Sequence, residues 1–247
     1  MRASNNHYYV VKFQNNPQDV RILANEYLGT KLGTLLGLPM PEVEVIDVPE
    51  SLVRGTPNLT IENGALTVPC ASGLQFGSRY VVDPHQTSVF DYLPESMFHK
   101  VSNREDFHRM LAHDKWTGNS DGRQAVFVKP SGSRMYRAVF IDQGYCFNAG
   151  EWSFVDSPLR GIYARSSVYA DVTGWNSFEP VLSRIEQIKI ADITGIAREI
   201  PTEWYRNDTD ALTRLIATLH ERRSQVRQLI TAFRTSSRNP FPNWTEA

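Results

Sequence analysis

Four charged side chains occur where they could hold a nucleotide and transfer its terminal phosphoryl group. Lys12 lies within the strand-like run HYYVVKF, where an ammonium group in apolar surroundings needs an anion. Glu26 follows in a segment with helical spacing, from which its carboxylate can reach back toward Lys12. Asp121 and Asp142 come later and are separated by one predicted β-hairpin. Groups of these types can offset phosphate charge, orient a hydroxyl and hold a divalent cation.

Each of these residues also has an ordinary structural explanation. Lys12 could extend to water from an edge strand, and Glu26 could be a solvated glutamate on a helix surface. Asp121 precedes Gly122, and Asp142 lies two residues before Gly144, so each could simply stabilise a turn. The order and spacing of the four residues carry the prediction.

Composition excludes several classes of protein. The 247 residues include 26 basic and 27 acidic side chains and have a formal net charge of -1, so no global field attracts nucleic acid or an anionic membrane. We find no apolar run long enough for a membrane span and no signal peptide in the polar segment Met1–His7. Cys70 and Cys146 fit neither a disulfide scaffold nor a zinc site. We expect buried thiols and a cytoplasmic protein.

The first part of the chain is predicted to be rich in β-structure. A strand at 7–13 precedes a helix over 19–36, with Asn16 as its cap and Pro17 in its first position. Gly37 ends this helix, and a strand follows at 43–48. Three further short strands are predicted at 59–61, 65–68 and 79–82.

The second part is predicted to be mainly helical. A helix over 104–116, capped by Asn103 or Ser102, leads through a polar loop into a hairpin with strands at 124–129 and 136–142. Helical patterns resume near Asn176, and the longest covers 208–235. This order predicts an α+β, bilobal layout rather than a doubly wound one. We place the boundary between residues 1–94 and 95–247.

Three segments resemble the HipA-like kinases, a bacterial branch of the protein-kinase-like fold, and the likeness runs from His7 to about Thr235. They are HYYVVKFQNNPQDVRILANEYLGTKLGTLLGLPMPEVEV, FHRMLAHDKWTGNSDGRQAVFV and AVFIDQG. The resemblance implies a β-rich N-lobe, a helical C-lobe, and ATP and Mg²⁺ as cofactors. It also implies that Lys12 contacts the α- and β-phosphates, Glu26 pairs with Lys12, Asp121 is catalytic and Asp142 binds magnesium.

The sequence departs from the family pattern at three points. No glycine-rich segment precedes Lys12, so we expect either an N-lobe that lacks the first strands of the family or a different cover for the phosphates. Val126 stands where the pattern Asp-x-x-x-x-Asn puts a second magnesium ligand after Asp121, and we assign Gln124 as the substitute ligand. Asp114 and Asn119 fit the same spacing and form a second-ranked catalytic pair.

Arg123 has three interpretations. It stands where such kinases often carry histidine, so it could bond a phosphate or Asp142. It could equally belong to a structural ion pair. We group it with Asp121 as a catalytic residue, and we expect the hinge that holds adenine between Phe76 and Tyr92.

The sequence therefore predicts an ATP- and Mg²⁺-dependent phosphotransferase that acts on Ser or Thr of a protein substrate. A pseudokinase that binds nucleotide or a partner without turnover is the alternative. A third hypothesis is an interaction module for an antitoxin-like partner.

Overall fold

A three-stranded antiparallel sheet carries Lys12 at its edge. The computed structural model describes residues 1–85 and 87–245. Its first elements are β1 (Tyr9–Lys12), α1 (Arg21–Leu35), β2 (Val43–Val48), α2 (Glu50–Gly55), β3 (Thr60–Asn63), β4 (Leu66–Pro69), β5 (Gly73–Arg79) and β6 (Ser88–Phe90). The sheet order is β1-β5-β2, with Lys12 opposite Phe76. Strands β3 and β4 form a separate hairpin.

Helix α1 begins later than the sequence predicts. Its N-cap is Val20, which makes no side-chain cap, so the prediction of Asn16 as cap is wrong. Asn16 Oδ1 instead accepts the Gln18 N–H at 2.9 Å, and Asp19 Oδ1 accepts the Arg21 N–H at 2.8 Å. These two turns extend the loop before the chain becomes helical. Gly37 ends the helix with φ +84°, as predicted.

Strand β5 is the main element that the sequence prediction misplaced. The expected strand at 79–82 is wrong, because the strand runs over Gly73–Arg79 and ends there. Its sequence contains glycines and a glutamine, which are poor strand signals. Gly77 is nevertheless required, since a Cβ there would lie 2.4 Å from Ile46 Cγ1 on β2.

The second part contains one more small sheet and a set of helices. The elements are α3 (Asp106–Thr117), β7 (Gln124–Lys129), β8 (Arg137–Ile141), α4 (Val181–Gln187), α5 (Ile190–Ala197), α6 (Thr209–Arg222) and α7 (Val226–Arg234). Strands β6, β7 and β8 pair in that order. The predicted helix and hairpin are confirmed. The predicted helix at 208–235 is two helices, because the helical hydrogen bonding breaks between Arg222 and Val226.

Helix α3 also lacks the cap that was predicted for it. Its N-cap is Glu105, without a side-chain hydrogen bond. Asn103 uses its side chain elsewhere: Nδ2 donates to Asp106 Oδ2 and to the Ala138 carbonyl, and Oδ1 accepts the Ala138 N–H. Asn103 thus joins the start of α3 to β8 instead of closing the helix.

One apolar core extends through both parts of the chain. It includes Leu23 on α1, Phe76 on β5, Trp116 on α3 and Phe241 near the C-terminus. The two cysteines are buried free thiols, as predicted. Over residues 1–85 and 87–245, no helix combines the length and the apolar character needed to cross a bilayer.

Candidate active site

Lys12 lies between two carboxylates. Its Nζ donates to Asp142 Oδ1 at 2.9 Å and also to Glu26 Oε1. The Lys12 side chain is 28% exposed, whereas that of Glu26 is 3% exposed. Burial alone would lower the pKa of Lys12, but Glu26 and Asp142 together raise it above the ordinary lysine value. Lys12 is therefore a protonated cation with one side open to solvent.

Glu26 connects three elements through its two oxygens. Oε1 accepts from Lys12 on β1, and Oε2 accepts the backbone N–H of Gln143, which follows β8, at 2.8 Å. Burial raises the pKa of Glu26, and the Lys12 charge opposes that rise. This buried carboxylate on α1 fixes where the lysine strand and the segment after β8 meet.

Gly144 permits the close approach of that segment to α1. A Cβ at this position would lie 2.8 Å from Ile22 Cγ2, 3.2 Å from Glu26 Oε1 and 3.6 Å from Asp142 Oδ1. The first distance is shorter than a carbon–carbon contact allows. The Asp-x-Gly pattern is therefore a packing requirement here as well as a turn.

Asp142 has an unusual backbone conformation, with φ +62°. Aspartate tolerates this left-handed region better than most residues, and such conformations concentrate at functional sites. Gln124 Nε2 donates to its Oδ2 at 3.0 Å, and Arg123 Nη1 donates to its backbone carbonyl at 3.1 Å. Burial would raise the pKa of Asp142, but charged neighbours, Lys12 foremost, lower it below the usual range.

Arg123 forms a buried ion pair with Asp114. Their side chains are 2% and 1% exposed, and Nη2 lies 2.6 Å from Oδ1. Asn119 Nδ2 donates to the same Asp114 oxygen at 3.0 Å, and Arg123 Nη2 also donates to Gln143 Oε1 at 2.9 Å. Of the three interpretations of Arg123, the structure shows the structural ion pair with Asp114 and also a bond to Asp142, through the Asp142 backbone carbonyl. Asp114 and Asn119, the second-ranked catalytic pair, are both buried and bonded to each other in this network.

Asp121 lies at the exposed rim of this network. Its Oδ1 accepts the Gly122 N–H at 2.7 Å, and its own N–H donates to Asn119 Oδ1 at 3.2 Å. Ser120 donates both its N–H and its hydroxyl to the Tyr145 carbonyl, at 3.0 and 3.2 Å. The Asp121 loop is thus bonded to the segment that follows Asp142.

The segment farther along, residues 156–160, is anchored by two cations. Lys115 Nζ donates to the carbonyls of Pro158 at 2.9 Å and Arg160 at 2.6 Å, and lies 3.4 Å from that of Ser157. Burial lowers the pKa of Lys115 to about 8, although Asp114 and Asp156 oppose the shift. Asp156 accepts two bonds from Arg222 on α6.

The structure brings four of the six predicted site residues into direct contact. Lys12, Glu26, Gln124 and Asp142 form one hydrogen-bonded group. Arg123 reaches this group through the Asp142 backbone, and Asp121 lies beside it without a described side-chain bond to it.

Sequence reasoning missed two polar residues of the site, Asn25 and Gln143. Both are fully buried: Asn25 donates to the Gly144 carbonyl, and the Gln143 side-chain oxygen accepts from Arg123. Asn25 did carry a signal, because an amide in the apolar helical run RILANEYL must find buried partners. Gln143 lies in a turn, where its burial leaves no mark on the sequence.

A divalent cation would find few protein ligands here. Among the described residues, no three or more His, Cys, Asp or Glu side chains are grouped to hold a metal. Asp142 offers one partly exposed carboxylate, with the Gln124 amide beside it. Magnesium usually binds through one or two carboxylates together with substrate phosphates, so this donor set fits a magnesium ion that arrives with a nucleotide.

A family model described as HipA-like kinase matches residues 1–235. The chain belongs to the HipA-like kinase family. A search of curated proteins gave no match to this HipA-like kinase chain. Its fold is similar to that of solved protein kinases. One is a proinflammatory kinase, CtkA, from Helicobacter pylori, with 15% identity, 90% of each chain covered and a TM-score of 0.52. Another is a Golgi casein kinase, with 10% identity, coverage of 96% of this chain and 70% of that one, and a TM-score of 0.51.

Proposed function

We propose that this chain transfers the γ-phosphoryl group of ATP, with magnesium, to a Ser or Thr hydroxyl of a protein. The observation that carries the proposal is the Lys12 ammonium held between Glu26 and Asp142. Lys12 would bind nucleotide phosphates, with Glu26 fixing its position. Bound magnesium would offset phosphate charge at Asp142. Asp121, exposed at the rim, would orient the acceptor hydroxyl and accept its proton.

We place the nucleoside in a cavity of about 530 Å³. Its lining includes Tyr8, Tyr80, Val82 and Val139, and its size is in the range of small-molecule sites. Tyr8 lies four residues before Lys12, so about 13 Å of strand separates the two. This spacing supports a nucleotide that extends from the cavity to Lys12, with residues 79–83 as the hinge and with 1–94 and 95–247 as the two lobes.

The test is magnesium–ATP binding by calorimetry on the wild type and on Asp142→Asn, followed by phosphoryl transfer to a protein mixture. We expect ATP to bind more tightly with magnesium than with EDTA, and we expect this gain from magnesium to shrink in Asp142→Asn. Asp121→Asn should bind magnesium–ATP like the wild type and transfer little phosphate. Transfer that persists in both variants would contradict the proposal.

A pseudokinase is the second candidate, and Val126 favours it. This half-buried side chain has no metal-binding atom at the position where the family pattern places asparagine. In this case the chain would bind nucleotide or a protein, such as an antitoxin-like partner, without turnover. Magnesium–ATP binding without any phosphoryl transfer, in the wild type and in Val126→Asn, would support it. Transfer by the wild type would exclude it.

A further inference from the structure

Asn25 has a buried amide that faces the chain segment after Asp142. Its Nδ2 lies 2.8 Å from the Gly144 carbonyl oxygen, 3.1 Å from that of Cys146 and 2.8 Å from that of Ala149. Its Oδ1 accepts the indole N–H of Trp152 at 2.7 Å. The polar atoms of this one side chain on α1 therefore contact four positions along residues 144–152, with the two amide hydrogens shared among three carbonyls.

This segment has an irregular backbone that needs outside partners. Phe147, Asn148 and Ala149 all have positive φ, between 56° and 59°. Consecutive non-glycine residues with positive φ are rare and orient successive carbonyls in directions that regular structure does not satisfy. A buried carbonyl without a donor is costly, so the Asn25 amide supplies bonds that the segment cannot make internally.

Asn25 is also adjacent to Glu26, and the two side chains hold the segment at different points. Glu26 accepts the Gln143 N–H directly after Asp142. Asn25 contacts the segment farther along, from the Gly144 carbonyl to the Trp152 indole N–H. Together they fix the segment to α1 along its length. The orientation of Asp142 toward Lys12 then depends on both residues.

We propose that Asn25 is a positioning residue. It holds the segment after Asp142 so that the Asp142 carboxylate faces the nucleotide-bound metal. The inference rests on the proposed function. It assigns Asn25 no contact with nucleotide or metal. If Asn25 has this positioning role, substituting it should lower the affinity for magnesium–ATP more than the affinity for ATP without metal.

The test compares Asn25→Ala with the wild type by calorimetry, using ATP with magnesium and ATP with EDTA. We expect Asn25→Ala to bind magnesium–ATP about tenfold more weakly, the lower end of what residues supporting a metal ligand usually contribute. Its affinity for metal-free ATP should stay within about twofold of the wild type. Asn103→Ala is the matched control, because Asn103 also makes several bonds to backbone and side chain, but at the opposite end of β8. It should lower thermal stability and leave the ratio of the two affinities unchanged.

Trp152→Phe is a milder second variant, which decides the question if Asn25→Ala does not fold. It keeps an aromatic ring and removes the single bond to Asn25 Oδ1. We expect a smaller loss, about threefold, confined to magnesium–ATP. A wild-type ratio of affinities in the folded variants, with lowered stability alone, would overturn the positioning role and leave the proposed function standing. A wild-type protein that binds no magnesium–ATP would overturn the proposed function and, with it, the positioning role.

Discussion

At the scale of single residues, the Lys12 ammonium occupies one face of the carboxylate that would hold a metal. Asp142 Oδ1 is 2.9 Å from Nζ, and its Oδ2 accepts from Gln124. A divalent cation that approaches without nucleotide meets a carboxylate that already has a positive neighbour. A nucleotide changes this balance, because its phosphates add negative charge beside both Lys12 and the metal.

Lys12→Met should therefore change two affinities in opposite directions. The nucleotide-free protein should bind Mn²⁺ about tenfold more tightly, because one repelling charge is removed. ATP should bind more weakly, because a phosphate contact is lost. Titration of Mn²⁺ followed by electron paramagnetic resonance, and calorimetry with ATP, measure the two effects.

Lys31→Met is the control for this pair of effects. Lys31 is also a partly exposed lysine, which lies 3.4 Å from Glu199, away from the site. Neither affinity should change in this variant. Equal Mn²⁺ affinity in Lys12→Met and the wild type would show that the ammonium does not shield Asp142.

His113 makes stability depend on pH. Its ring is fully buried, with Nε2 3.0 Å from the Gly29 carbonyl and with Nδ1 lacking a hydrogen-bond partner among the described atoms. Burial lowers the pKa of His113 to about 4, with Arg123 adding to the shift and Asp114 opposing it. The unfolded chain therefore binds a proton near pH 6.5, while the folded protein stays neutral at this residue until pH about 4.

The free energy of unfolding should thus fall as the pH drops from about 6.5 to about 4, with His113 contributing about 3 kcal/mol over this range. Urea unfolding at a series of pH values measures the slope. The slope of the free energy of unfolding against pH measures how many protons the chain takes up on unfolding. In His113→Gln this number should be smaller by about one, and in the exposed control His99→Gln it should stay as in the wild type. A slope that His113→Gln leaves unchanged would assign the acid sensitivity to other groups.

At the scale of elements, α1 is the support on which the site is assembled. Eleven of its residues are buried, including the polar Asn25, Glu26 and Thr30. It contacts β5, α5 and the segment after β8. A helix enclosed on most sides can hold polar groups in fixed places, because its neighbours restrict both rotation and translation.

Gly144→Ala should separate α1 from the segment after Asp142. The new methyl group would lie 2.8 Å from Ile22 Cγ2, so one of the two elements must move. We expect a loss of stability of about 1–3 kcal/mol, as for overpacking in general. Magnesium–ATP affinity should fall as well, because Glu26 and Asp142 both lie against this glycine. Urea unfolding and calorimetry measure the two effects.

Gly195→Ala is the matched control for this glycine substitution. Gly195 lies within α5, and a Cβ there would have no atom within 4 Å. Alanine in a helix should stabilise the protein by up to about 1 kcal/mol and leave nucleotide binding unchanged. A Gly144→Ala protein that behaves like Gly195→Ala would show that the close approach is not required.

The sequence predicted the elements with strong local patterns and missed those set by tertiary contacts. Strand β2 and the β7–β8 hairpin have β-branched and aromatic runs, and both were predicted correctly. Strand β5 was misplaced because glycine is a poor strand signal. The space beside Ile46 requires a glycine at position 77, and this requirement is a tertiary contact. The caps failed for a similar reason, since Asn103 bonds a strand that is distant in sequence.

The candidate site shows the same division. The order of Lys12, Glu26 and Asp142 was enough to predict one contact group, because each lies on an element with a clear pattern. The pairing of Arg123 with Asp114 could not be selected from three open alternatives, since burial decides it. The bonds of Asn25 depend on an irregular backbone that sequence periodicity does not describe.

At the scale of the whole molecule, the C-terminal segment completes the core. Phe241 is 3% exposed and packs against Tyr169, Phe178 and Phe233, with ring centroids 5.6–6.2 Å apart. This aromatic group belongs to the same core as Leu23 on α1. We therefore expect the described parts of the chain to unfold together.

Phe241→Ala should lower the free energy of unfolding by about 3–5 kcal/mol, as expected for a buried phenylalanine. Circular dichroism and tryptophan fluorescence should report the same urea midpoint in the wild type and in the variant. Tyr92→Ala, at an exposed aromatic residue, should change stability little. Two separate midpoints would show that the two parts of the chain unfold independently.

Lys115 gives residues 156–160 a built-in chemical reporter. While the carbonyls of Ser157, Pro158 and Arg160 surround its ammonium, an acylating reagent cannot reach the nitrogen. Once the segment opens, the same amine becomes an ordinary accessible nucleophile. Mass spectrometry can follow the rate at which Lys115 is acylated. This rate therefore reports how often the segment opens in the intact protein, without any added label.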